Sequence, residues 1–225
     1  MSTIDATPPS ERTRVRRVAQ RGCYDRETLY AIVDAAYVCH VAFADENGVH
    51  CIPTACWREG DHLYIHGSNG SRMLKLAARG AQICVTITHL DGLVLARSAF
   101  HHSMNYRSAV IYGVCEIVEG AAKASALDTF VEKIAPGRSR EVRPGDANEL
   151  AATTVLRVAI DEAAAKIRTG GPKDDAADMT REVWAGVLPL ALQPQTPIAD
   201  AAPTVTPGYV QQWHETACAQ TARFM

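Results

Sequence analysis

The chain has no long apolar run. No stretch approaches the roughly 20 residues needed to cross a bilayer, and residues 1–17 are polar and proline-containing where a secretory leader carries an apolar core. It has no Cys-x-x-Cys spacing either. Its seven cysteines, at positions 23, 39, 51, 56, 84, 115 and 218, are odd in number and sit mostly inside apolar runs. That distribution argues against a disulfide framework and a zinc site, and fits buried free thiols in a reducing cytoplasm. Excess charge of one sign is missing: the formal net charge is −2, which argues against nucleic acid or an anionic membrane as partner. A phosphate site needs only a few local charges, so it stays open. Walker A, Gly-x-Gly-x-x-Gly and Gly-x-Ser-x-Gly patterns are all absent, which removes support for nucleotide hydrolysis, a dinucleotide fold and a serine-nucleophile elbow. His62 and His66 share a strand face but lie about 13 Å apart along it, so no metal site is expected. The expected protein is cytoplasmic, with no membrane or nucleic-acid partner.

What is present is a chain of 225 residues, 47% hydrophobic, enough for a sizeable core in one large domain or a domain with an appendage. Residues 1–24 read as a flexible basic lead-in. Asp25 is placed to cap a helix running to about residue 36. Residues 37–44, rich in β-branched and aromatic side chains, end at Asn47-Gly48, a hairpin signal. Residues 49–57 and 62–66 continue an antiparallel meander. A loop of small residues and a short helix with Gly80 past its end follow. Strands are expected at 82–88, 92–98, 107–118 and 153–160, with a helix at 123–134 between the last two. Residues 25–190 form the expected domain, and 191–225 a Pro- and Ala-rich extension. The reading is mainly β with flanking helices, a closed or nearly closed barrel that removes exposed strand edges.

Three segments carry candidate chemistry. Residues 66–79 feed a Gly- and Ser-rich loop into a helix N-terminus, where free N–H groups, hydroxyls, Arg72 and Lys75 suit a phosphate; a plain Ser-capped surface helix has the same pattern. Residues 90–112 pack His101, His102, Ser103, Asn105, Tyr106, Arg107 and Ser108 between apolar strands, as a site-lining loop would. Lys166 and Arg168 alternate on one strand face and suit either an anion clamp or a charged edge that blocks aggregation.

At these segments the sequence resembles the pyridoxamine 5′-phosphate oxidase-like, flavin-binding split-barrel superfamily, and within it the nitroimidazole-resistance-like branch. The resemblance rests on Arg-Gly-Cys-Tyr-Asp at 21–25, His-Val-Ala-Phe at 40–43, Ile-Pro-Thr at 52–54, Leu-Tyr-Ile-His-Gly-Ser at 63–68 and Ser-Arg-Met-Leu at 71–74. It continues through Asp-Gly-Leu-Val-Leu-Ala-Arg-Ser at 91–98, His-Ser-Met-Asn-Tyr-Arg-Ser at 102–108 and Ala-Lys-Ile-Arg-x-Gly at 165–170. It implies a six-stranded antiparallel split β-barrel with flanking α-helices, forming a homodimer with FMN at the subunit interface. The flavin phosphate would fall to His66, Gly67, Ser68, Ser71 and Arg72. Pro53, Thr54, Thr86, Ile87 and Thr88 would run beside the ring. Asn105, Tyr106 and Arg107 would approach from the interface, with Lys166 and Arg168 as further cofactor contacts and Trp184 packing near the ring. The second phosphate site that a phosphorylated B6 substrate needs is not visible, so reduction of a small organic acceptor such as a nitroaromatic is the expected chemistry, with His66 the candidate proton donor. A non-catalytic flavin-storing or sensing module, a heme- or deazaflavin-binding barrel, and FAD in place of FMN with its adenosine sheltered by the tail are the alternatives.

Overall fold

A computed structural model describes residues 7–200 and 205–213 of the chain; Cys218 and the outer parts of both terminal segments lie outside the described residues. The elements in chain order are β1 (Gly22–Cys23), α1 (Arg26–Asp34), β2 (Val38–Asp45), β3 (Gly48–Glu59), β4 (His62–Ser68), α2 (Arg72–Ala78) and β5 (Gln82–Leu95). They continue with β6 (Ser103–Val114), β7 (Glu116–Ile117), α3 (Gly120–Ile134), α4 (Ala147–Ala152), β8 (Thr153–Ala159), β9 (Ala163–Arg168), β10 (Gly186–Pro189) and α5 (Gly208–Gln211). The Asp25 carboxylate accepts from the Thr28 N–H at 2.8 Å and so caps α1 as expected. Gly48 takes φ 110° at the β2–β3 turn, a conformation that only glycine adopts cheaply.

All pairings are antiparallel, in the order β1-β9-β6-β5-β2-β3-β4-β8-β7, with β10 added to β5. The sheet has ten strands, nine of them on an open-ended path and β10 beside it, so the expected six-stranded, closed or nearly closed barrel gives way to a longer, open path. The difference is physical: β5 is a single strand with a bulge between Leu90 and Gly92. A bulge turns the strand axis. Before it β5 pairs with β2, and after it β10 takes the vacated edge. Residues 90–112 are accordingly mostly strand, and the expected long loop shrinks to the stretch between β5 and β6, with a 3-10 turn at Ala99–His101.

The main core lies inside the curved sheet, with Leu29, Ile32 and Val33 of α1 packed against Val41, Val85 and Ile111. A second cluster, Trp57, Tyr64, Val118, Ala126 and Val155, lies under α3 on the other face of β4. The lead-in is not loose where it is described. Arg12 bonds Glu162 at 2.7 Å and lies over the Tyr112 ring, and Val15 N–H donates to the Tyr24 hydroxyl at 2.9 Å. No helix among the described residues is long and apolar enough to cross a membrane.

Candidate functional site

The loop after β4 delivers α2 against the sheet. A Cβ on Gly67 would stand 3.1 Å from the Leu74 side chain, so glycine there lets the helix close on its own strand. The Ser68 hydroxyl accepts from Gly70 N–H at 3.2 Å, and Ser71 caps α2 by accepting from Leu74 N–H at 3.4 Å. Arg72 turns away from this cap toward the β2–β3 hairpin. Its Nη1 lies 3.3 Å from Asp45 Oδ2 and its Nη2 is 3.2 Å from His50 Nδ1. His50 Nε2 in turn sits 2.8 Å from Asp45 Oδ1, which also accepts from Asn47 N–H at 2.8 Å. The His50 hydrogen bond, followed by that of Asn47, holds the Asp45 carboxyl below the usual carboxylate range. A cleft of about 330 Å³ opens beside this network, lined by Asp45, Glu46, Gly70, Arg72, Lys75, Leu76 and Arg79.

The outer face of the sheet is the second surface. Pro53, His40 and Thr86 are cross-strand partners on β3, β2 and β5, and Thr88, Ser108 and Lys166 form a parallel row on β5, β6 and β9. Partners in register share a face, so these side chains look outward together. Thr54 pairs with buried Cys39, and Ile87 is 2% exposed inside the main core; their side chains belong to the interior. The uncovered face also carries Val38, Leu90 and Met104, each about half exposed.

Three further arginines differ in their partners. Arg107 makes a two-pronged contact with Asp91, at 2.9 and 2.8 Å, and Arg97 meets Asp174 at 3.0 Å. Arg168 is different. It is 5% exposed, and its partners are uncharged oxygens: Asn105 Oδ1, the Gly170 carbonyl at 3.2 Å and the Gly171 carbonyl at 3.2 Å. No carboxylate faces it among the described residues, and its Nε is buried without a partner. Burial first, then nearby Arg21, pull its pKa below arginine's usual value. Tyr106 is its cross-strand neighbour, and Lys166 spends its ammonium on the Arg17 carbonyl at 3.1 Å.

His66 faces the α3 side, its ring centroid 4.4 Å from Phe130 and 5.6 Å from Trp57. Its Nδ1 is buried without a partner, and burial lowers its pKa. The residues expected around one phosphate therefore separate: Ser68 and Ser71 serve local caps, Arg72 reaches the hairpin, and His66 packs under α3. Trp184 lies 63% exposed beside Gly186, where a Cβ would come within 2.9 Å of the indole. Sequence reasoning missed Asp45 and His50. The Asn47-Gly48 turn signals that these two approach each other, but nothing local announces that Arg72 joins them.

The family model described as pyridoxamine 5′-phosphate oxidase matches residues 25–167. No curated protein matches the chain. Among solved structures, the flavocytochrome Anf3 from Azotobacter vinelandii is 39% identical, with 92% of this chain and 98% of that one covered and a TM-score of 0.86. The FAD and heme binding protein from Mycobacterium smegmatis is 38% identical, with 85% and 96% covered and a TM-score of 0.82. A Bacteroides thetaiotaomicron protein provisionally described as a 5-nitroimidazole antibiotic resistance protein is 22% identical over 65% of this chain and 86% of that one, with a TM-score of 0.54; this likeness concerns the fold alone.

Proposed function

Because the chain belongs to the pyridoxamine 5′-phosphate oxidase family, we propose that it is a flavin-binding redox protein that works as a homodimer, with the flavin between two copies. The observation that carries this is its likeness, at 39% and 38% identity over most of both chains, to a flavocytochrome and to an FAD and heme binding protein. That likeness favours FAD over FMN as the bound form. The donor set suits either. The cleft beside α2 presents Arg72, Lys75 and Arg79 to a phosphate, and the outer face offers Pro53, Thr86 and Thr88 as a flat, partly polar bed for a ring. Arg168, a buried cation without a carboxylate, supplies positive charge where an anionic ligand group would compensate it.

The bound flavin supplies electron transfer; the chain's residues bind it, orient it and exclude water. A second copy over the outer face would cover Val38, Leu90 and Met104, whose clustering on one face is otherwise unfavourable. The reaction we assign is reduction of a small organic acceptor such as a nitroaromatic. A second reading, favoured by the same two solved structures, adds a heme.

The test is the absorption spectrum of the purified protein, with any released chromophore identified by mass. Flavin bands with FAD or FMN released support the reading, and an added Soret band selects the heme version. A colourless protein that takes up neither flavin overturns it. A flavin-loaded protein that turns over no acceptor is a storage or sensing module instead.

A further inference from the structure

Arginine has only donors, so the 3.2 Å contact between Arg72 Nη2 and His50 Nδ1 requires an unprotonated Nδ1. The ring hydrogen then sits on Nε2 and is donated to Asp45 Oδ1 at 2.8 Å. Asp45 Oδ2 receives Arg72 Nη1 at 3.3 Å, which closes a ring of three side chains. Phe43 backs this ring, with its centroid 5.2 Å from that of His50 and 6.0 Å from the guanidinium carbon of Arg72. One hydrogen on each terminal nitrogen of Arg72 is committed, and its remaining N–H groups are left for the cleft. The side chain is nonetheless 52% exposed, so without these contacts it would sample many rotamers and lose that freedom on binding an anion.

We infer that His50 is a positioning residue: in its neutral form, held by Asp45, it orients Arg72 to receive the flavin phosphate. This rests on the reading of the α2 cleft as the phosphate site. The charged groups that contact His50 are Asp45 from the hairpin and Arg72 from α2, and Glu46, Lys75 and Arg79 line the cleft with those two.

The experiment is fluorescence titration of the full-length apoprotein with FMN, FAD and riboflavin, which shares the ring but lacks the phosphate. His50→Ala should weaken FMN and FAD by about tenfold and leave riboflavin within about twofold. His50→Gln, whose amide accepts from Arg72 and donates to Asp45, should restore most of the affinity. If Arg72→Ala weakens FMN and His50→Ala does not, the positioning role is overturned. If Arg72→Ala binds FMN like wild type, the phosphate lies elsewhere and the reading of the cleft itself falls. Should His50→Ala fail to fold, His50→Phe, which fills the same place without a ring nitrogen, takes its part, and an FMN affinity equal to wild type would overturn the role.

Discussion

Arg72 and Arg168 are both cations without a structural duty obvious from sequence, yet their surroundings differ. Arg72 stands in the open, half exposed, with Asp45 at 3.3 Å. Arg168 is buried and, among the described residues, its hydrogen-bond partners are carbonyl and amide oxygens, while Arg97 and Arg107 each hold an aspartate. An ion pair whose cation stands half in solvent contributes little to stability. A buried charge without a counter-charge costs several kcal/mol as an order of magnitude, and persists in a fold only where something else offsets it. The uncompensated arginine is therefore the stronger mark of a ligand, although the Gly- and Ser-rich loop made Arg72 the more conspicuous one.

The sharpest way to break this contrast is to remove each arginine in turn. Arg168→Ala should weaken flavin binding by about a hundredfold, as loss of a desolvated charge-assisted contact does; a larger loss at Arg72 than at Arg168 in the same fluorescence titration would invert the ranking. Next in size is the outer sheet face. Leu90→Asp places a carboxylate on the outer sheet surface and should raise the dimer dissociation constant more than tenfold, read by sedimentation velocity; an unchanged dimer would mean that another surface pairs the copies. Arg72→Ala should cost about tenfold in FMN affinity and little in melting temperature, since Arg72 itself is half exposed and Asp45 keeps its bonds to His50 and Asn47.

The smallest effect concerns His66. Burial depresses its pKa in the folded chain, so the unfolded chain takes up the proton first. Its contribution is present above the ordinary histidine value of about 6.5 and is lost as pH falls through the folded value. His66→Leu should flatten the decline of melting temperature between about pH 6.5 and about pH 5, while the curves converge at higher pH. A mutant that keeps the wild-type slope would assign the acid sensitivity to another group.

Much of the fold was legible because it is encoded locally. Asp25 three residues before Thr28, Asn47-Gly48 between two apolar runs, and Ser71 before Met73 and Leu74 announce a cap, a hairpin and a short helix through contacts within one turn. The bulge at Leu90/Gly92 was not legible, because residues 82–88 and 92–98 read as two separate strands, and only the long β6 partner keeps them one. β10 was missed for a related reason. Gly186–Pro189 has no strand signal of its own and is extended because β5 has a free edge there.

The site divides in the same way. Composition and motif order determined the family, the mainly β architecture and the residue types available for a flavin, because those follow from alternation, capping and turn chemistry along the chain. Tertiary structure alone decided which of those residues meet. It carried His66 under α3, left Arg168 without a carboxylate, and brought Arg72 to an aspartate and a histidine more than twenty positions earlier in the chain. Side-chain charge and hydrogen-bond partnership depend on distances set by sheet register and helix packing, and no spacing along the sequence specifies those.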